Sequence, residues 1–228
     1  MTSALGIYQT LSFPLPWQQA QNPLPLIVYG GASAVGAYAI KFASLSNIHP
    51  IIAVAGNGIP FVETLLDPSK GDIVVDYRKG HDHMVEVMRN AAGDSAIHAF
   101  DAISEKGSIT TIAKVLATGG KIATVLTPEM ALEDSEDSGS CEVLFTLVGT
   151  VHQDPPKGMR FGNREFGAMF FPYIGLGLDE GWFSGHPYEV VGGGLDGVQD
   201  ALHMLKQGKT SAKKLVVRVS DTPALRKA

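Results

Sequence analysis

The 228-residue chain has a single cysteine, Cys141, so it can build neither an intramolecular disulfide framework nor a site needing several of its own thiolates. A reducing, cytoplasmic setting is the expectation. No stretch nears the roughly 18 apolar residues of a membrane-spanning helix. The first twenty residues, broken by Gln9, Pro14, Pro16 and Gln18, show no basic segment followed by an apolar run, so no secretory leader is expected. Positive charge is scarce and scattered. The 18 Lys and Arg against 23 Asp and Glu leave a net charge of -5, and no cluster exceeds pairs such as Lys213 and Lys214. This excludes an electrostatic grip on nucleic acid or on an anionic membrane. Heptads are missing too, which argues against coiled coils and solenoids. What is present is apolar residue content of 45%, enough for a proper core, with 26 glycines and 13 prolines that cut it into short runs joined by many turns.

The short runs have a rhythm. Residues 24–29 are nearly all apolar and end at Gly30 and Gly31, as a strand buried on both faces of a parallel sheet does. Residues 35–46 carry Val35, Ala39, Phe42, Ala43 and Ser46 at three- and four-residue steps, which predicts a helix. The alternation continues with strands over 50–55, 72–76, 97–103, 121–126 and 142–148. Helices are expected after Pro60 and over 82–92 and 108–117. Parallel neighbours need crossover elements of fixed hand, so the pattern predicts an α/β, doubly wound, six-stranded parallel sheet, the Rossmann type of dinucleotide-binding fold. Residues 127–140, acidic and serine-rich with Glu129, Glu133, Asp134, Glu136 and Asp137, read as a solvated loop. Beyond Val151 come Pro155, Pro156 and a string of aromatics from Phe161 to Phe183, for which core packing is the expectation. A last helix (195–206), a stop at Gly208 and a strand (214–219) close the chain. The expected divisions are 1–23 as an entering helix and linker, 24–150 as the dinucleotide-binding core and 151–228 as a C-terminal extension.

The main chemical signal is the segment Gly30-Gly31-Ala32-Ser33-Ala34-Val35-Gly36, set between the first strand and the first helix. In Gly31-x-Ser33-x-x-Gly36, Gly31 is expected to make the tight turn, Ser33 to take the place where backbone approaches a pyrophosphate, and Gly36 to let the helix close on the strand. Helix N-termini favour anions, and the Ser33 hydroxyl adds a donor. An NAD site carries Asp or Glu about 20 residues on, for the ribose 2'-hydroxyl; here that place reads Ala55-Gly56-Asn57. The missing carboxylate favours NADP(H) over NAD(H) and also weakens a methyltransferase reading. Just past the third strand, Tyr77 can offer an adenine face, and Arg78 and Lys79 are either phosphate partners or solvated turn charges.

These residues resemble the medium-chain dehydrogenase/reductase superfamily, in its zinc-free quinone-reductase-like arm, and within it the fungal trans-acting enoyl reductases. The resemblance runs over nearly the whole chain, from residues 4–11 through the glycine turn, Asp76-Tyr77-Arg78, Phe100-Asp101-Ala102-Ile103-Ser104 and Gly119-Gly120-Lys121, to residues 194–198 and 211–217. It implies NADPH-dependent hydride delivery to an activated double bond of an acyl thioester, enone or quinone, with a polyketide synthase as partner. Carried over by position, Ser33, Ala34, Val35 and Gly36 resemble pyrophosphate contacts, and Ala55, Gly56, Asn57 and Tyr77 the adenosine 2'-phosphate end. Ile103, Ser104, Val125 and Leu126 resemble the lining near ribose and nicotinamide, and Ser211 and Ala212 a late cofactor contact. The chain departs from the family in two places. The early second-helix Lys of many relatives is replaced by Gly58-Ile59-Pro60-Phe61, and the sequence starts almost at the entering helix, so most of the family's GroES-like catalytic domain is expected to be missing from it. On the resemblance, the final helix and strand return to that domain, so Leu215, Val217 and their neighbours are expected to be partly uncovered, a face for self-association or a partner.

Other chemistry finds little support. None of Tyr8, Tyr29, Tyr38, Tyr77, Tyr173 or Tyr188 has Lys four residues later, as a short-chain dehydrogenase would need. His81 and His83 flank Asp82 in a charged turn without a thiolate, and Cys141 has no neighbouring cation to activate it. His152 follows the sixth strand, where a structural histidine is the plainer reading. Two functions stay open: a reductase module whose catalytic residues are unassigned, and a dinucleotide- or partner-binding module without turnover.

Overall fold

The computed structural model of the chain describes residues 1–132, 137–154, 157 and 161–223. It divides into two compact units, Met1–Ser184 and Gly185–Ala228.

The first unit opens with a short helix, α1 (Thr2–Ala4), continued as a π-helix over Leu5–Thr10. Buried Tyr8 ties this segment down by donating to the Phe42 carbonyl at 2.9 Å. Strands and helices then alternate: β1 (Leu26–Tyr29), α2 (Ala34–Leu45), β2 (Ile51–Ala55), α3 (Ile59–Glu63), β3 (Ile73–Asp76), α4 (His81–Ala92), β4 (His98–Asp101), α5 (Ser108–Ala113) and β5 (Lys121–Thr124). A short helix α6 (Pro128–Leu132), strand β6 (Glu142–Phe145) and a long helix α7 (Asn163–Glu180) follow. All pairings are parallel, as the alternation predicts, and the strands lie in the order β3-β2-β1-β4-β5-β6. A parallel sheet must be covered twice, and both faces are. Phe42, Ile40, Val62, Phe166 and Phe170 from α2, α3 and α7 cover one, and Met84, Met88, Ile109 and Ile112 from α4 and α5 the other. Every residue of β2 is buried. The chain builds outward from β1 to β3 and then returns to lay β4 against β1's other side, so the strand order reverses at the carboxyl ends of β1 and β4.

Three stretches depart from the sequence reading. Residues 127–140 are not all loop: Pro128 sits at a first helical position with Glu129 beside it, and α6 forms. Glu133, Asp134 and Glu136 lie outside the described residues, as do Pro155 and Pro156. The aromatic string organises as the 18-residue α7, opened by the Glu165 carboxylate accepting the Gly162 amide at 2.8 Å. Its inner side builds an aromatic core. Phe166 stacks on Phe170 with ring centroids 4.2 Å apart, and Tyr8 and Phe42 meet Phe170. Strands also end sooner than expected, at Asp101 rather than Ile103 and at Phe145 rather than Val148.

The second unit is a single crossover. Strand β7 (Tyr188–Val191), which the sequence reading did not anticipate, leads through a 3-10 turn (Gly194–Gly197) into α8 (Val198–Lys206) and then β8 (Lys214–Val217). The two strands pair in parallel with Val190 opposite Val216, and Lys213 forms an ion pair with Glu189. Leu215 and Val217 are half-buried. Larger exposure lies on the α8 stripe, where Val198, Leu202 and Leu205 stand in solvent, Leu202 at 53%, with Leu195 of the preceding turn.

Candidate functional site

The carboxyl edge of the sheet in the first unit brings together four short loops, those after β1, β2, β4 and β5. The first is the glycine turn. Gly30, next to the Gly31 expected to make the tight turn, takes a left-handed backbone (φ 82°), and a side chain there would also strike Ile103, 2.6 Å from its Cγ1. Gly31 is instead confined by Ala53 and Ile40, at 3.2 Å from where its Cβ would stand. Both amides donate to the Val54 carbonyl, which pins the turn to β2. Ser33 is the N-cap of α2, its hydroxyl accepting the Gly36 amide at 3.0 Å. Gly36 has no room for a side chain, since a Cβ would lie 2.2 Å from the Gly30 carbonyl oxygen. The cap uses the Gly36 amide and leaves those of Ala34 and Val35 without an intrahelical acceptor, at the positive end of α2. Backbone donors, a close-packed turn and a helix terminus thus share one spot, which suits a pyrophosphate.

At the end of β2, Ala55 and Gly56 are buried and Asn57 is exposed. The Tyr77 ring lies against Gly56: a Cβ there would fall 2.5 Å from its Cε1. Arg78 reaches back across the same edge. Its guanidinium donates to the Asn57 side-chain oxygen at 2.6 Å and to both Asp76 oxygens, at 2.8 and 2.7 Å. This pairing holds the Asp76 carboxyl well down, at about 2. The arrangement joins Asn57, Tyr77 and Arg78 into one polar and aromatic corner, and Asp76 is a member that sequence reasoning did not weigh as part of the site.

The loops after β4 and β5 form the other side. Ile103 is exposed over Gly30, and Ser104 is buried in a left-handed conformation (φ 57°). The Ser104 hydroxyl accepts the Val125 amide at 3.1 Å, which joins the two loops, and Thr124 donates to the Leu126 carbonyl at 2.9 Å. The fully buried Asp101 underlies them; burial pushes its carboxyl up, and the Ser108, Ser104 and Ile103 donors pull the other way. The signal that could have found it is the spacing of Asp101 and Ser104 at a strand end, where an Asx-type turn forms. Tyr29, at the end of β1, is also pushed up, by burial first and then by Asp101 and Tyr77.

Of the other first-unit residues singled out from the sequence, His81, His152 and Cys141 do not join this group. His81 opens α4, its Nε2 facing the Lys114 ammonium at 3.0 Å, and His152 is exposed at the end of a 3-10 turn (Val148–His152). The Cys141 thiol is pushed up by burial, the opposite of an activated thiolate. Among the described residues, no group of three or more His, Cys, Asp or Glu is placed to hold a metal, and no helix is long and apolar enough to cross a membrane. Ser211 and Ala212 belong to the second unit, just ahead of β8, where Ala212 is left-handed (φ 56°).

No family model matches the chain. Trans-enoyl reductase fsr4 of Gibberella fujikuroi is 41% identical over 196 residues, which cover 84% of this chain and 55% of that protein. Trans-enoyl reductase FSL5 of Gibberella zeae is 28% identical over 225 residues, covering 96% and 61%. Among solved structures, the CurK enoyl reductase superposes with a TM-score of 0.65 at 16% identity, over 95% of this chain and 59% of that one. The alcohol dehydrogenase of Aeropyrum pernix does so with 0.61 at 16%, over 92% and 52%. At such identities the structures show a common fold. The chain spans between about half and three fifths of the length of these four proteins. In sequence the chain is similar to part of these fungal trans-enoyl reductases, and in fold to the enoyl reductase and dehydrogenase structures.

Proposed function

We propose that the chain is the nucleotide-binding portion of an NADPH-dependent reductase of the trans-enoyl reductase type. It would act on an activated carbon–carbon double bond of an acyl thioester, enone or quinone, in the cytoplasm and alongside a polyketide synthase. The observation that carries this reading is the turn at the strand-order reversal, where Gly36 packs on the Gly30 carbonyl and the Ala34 and Val35 amides stay available for an anion. A bound nicotinamide would supply the hydride, and the protein's part is to hold and orient it. In this reading Ser33, Ala34, Val35 and Gly36 hold the pyrophosphate. Tyr77 covers the adenosine and Arg78 turns toward the 2'-phosphate, while Asn57, carrying no charge, does not repel it. Ile103, Ser104, Val125 and Leu126 shape the nicotinamide end.

Mixing the chain with NADPH and following nicotinamide fluorescence tests the reading, and following NADPH loss on enoyl thioesters and quinones separates turnover from binding alone. Gly36→Val drives a branched side chain into the Gly30 carbonyl and is expected to abolish NADPH binding. Retained binding in that variant places the phosphates elsewhere.

A further inference from the structure

We propose that Asp101 is a positioning residue for the nicotinamide end of the site, one buried carboxylate that fixes the loops after β4 and β5 against the glycine turn. This rests on the nucleotide reading above and goes beyond it, because Asp101 itself would touch neither cofactor nor substrate.

Asp101 ends β4 with no exposure to solvent. One carboxyl oxygen accepts two successive amides of the loop that follows, Ile103 at 2.9 Å and Ser104 at 2.8 Å, and the other accepts the Ser108 hydroxyl at the first residue of α5. The loop is thereby pinned at both ends. The grip passes onward through Ser104, whose hydroxyl donates to the Asp101 carbonyl at 3.0 Å and accepts the Val125 amide at 3.1 Å. Ser104 holds a left-handed φ of 57°, a backbone that a non-glycine residue keeps only where its surroundings over-determine it. With the Ile103 and Ser104 amides both fixed, the Ile103 side chain is set over Gly30 and remains 37% exposed, an apolar surface beside the phosphate turn. Three loops are therefore referenced to one carboxylate. A buried charge is a costly way to satisfy two amides and a hydroxyl, since a neutral side chain could accept most of the same bonds. What the charge adds is stronger, shorter bonds to the amides that set Ile103 and, through Ser104, Val125.

The test compares two ligands on the same chain. NADPH reaches both ends of the site, while adenosine 2',5'-bisphosphate occupies only the adenosine end. Calorimetric titrations of the unaltered chain, Asp101→Asn and Asp101→Leu with both are expected to leave the bisphosphate affinity within about twofold. NADPH affinity should fall about tenfold in the Leu variant, the loss expected on removing charge-assisted bonds, and less in the Asn variant, whose amide oxygen still accepts both loop amides. Should Asp101→Leu fail to fold, Asp101→Asn and Ser108→Ala, which removes one donor only, carry the same comparison. Equal weakening of both ligands would mark Asp101 as a general structural residue, and an unchanged NADPH affinity would show that it positions nothing; either result overturns the inference alone. If the unaltered chain binds neither ligand, the nucleotide reading falls and the inference falls with it.

Discussion

Ser33 illustrates how much of the site's chemistry lies in single residues. Its hydroxyl caps α2 by accepting the Gly36 amide, so its replacement tests the cap apart from the turn. Ser33→Ala is expected to cost about 1 kcal/mol in urea unfolding and Ser33→Gly only a few tenths, because glycine is itself a good N-cap. Asp101 yields a signed pH dependence. Burial raises its folded pKa, so the folded state binds its proton more readily than the unfolded chain does, and stability declines as pH rises through the window above the ordinary value of about 4. Asp101→Asn lacks that decline. The unfolding free energy of the variant minus that of the unaltered chain should therefore climb as pH is raised from 4, and a flat difference would contradict the assignment. Asp101 was quoted in the sequence but not seen as a site residue, because its partners gather only when the loop folds back over the strand end. The same holds for Gly30: spacing alone gave Gly31 the tight turn, and only the folded backbone shows that the left-handed φ of 82° falls on Gly30.

Elements with a clean period were legible, and interrupted ones were not. The strands of the sheet and helices α2 and α4 follow from apolar runs and three- and four-residue steps. Helix α7 was missed because Gly167, Pro172, Gly175 and Gly177 break its propensity, and what holds it is the tertiary contact of Phe166 and Phe170 with Tyr8 and Phe42. Strand β7 was missed because its four residues gain a ladder only from β8, far along the chain. The α7 glycines separate propensity from packing. A side chain at Gly175 would meet nothing within 4 Å, so Gly175→Ala is expected to raise stability by about 0.5 to 1 kcal/mol. At Gly177 a Cβ would fall 2.7 Å from Trp182 and 2.8 Å from Phe183, so Gly177→Ala should destabilise by about 1 to 3 kcal/mol. Thermal or urea unfolding reads both, and a common sign would show that α7 is not packed as described.

For the molecule as a whole, the six-stranded, doubly wound parallel sheet was readable from alternation, since parallel strands with right-handed crossovers leave few arrangements; the order of its strands was not read from the sequence. Exposed apolar surface was readable only in outline. The stripe of Val198, Leu202 and Leu205 on α8, with Leu195 beside it, is apolar and exposed in the second unit. Sedimentation of the chain over rising concentration should show association that Leu202→Glu with Leu205→Glu reduces; unchanged sedimentation would show that this stripe is not the contact. The claim on which the account turns is that the edge of the first unit binds a 2'-phosphorylated dinucleotide, with Asn57, Tyr77 and Arg78 at its adenosine end. Calorimetric titration of the chain with NADPH and with NADH tests it most directly. The account predicts NADPH to bind about tenfold tighter or better, as a phosphate gaining a guanidinium partner should, with Arg78→Gln closing most of the gap. Equal or reversed affinities, or a gap indifferent to Arg78, would contradict it.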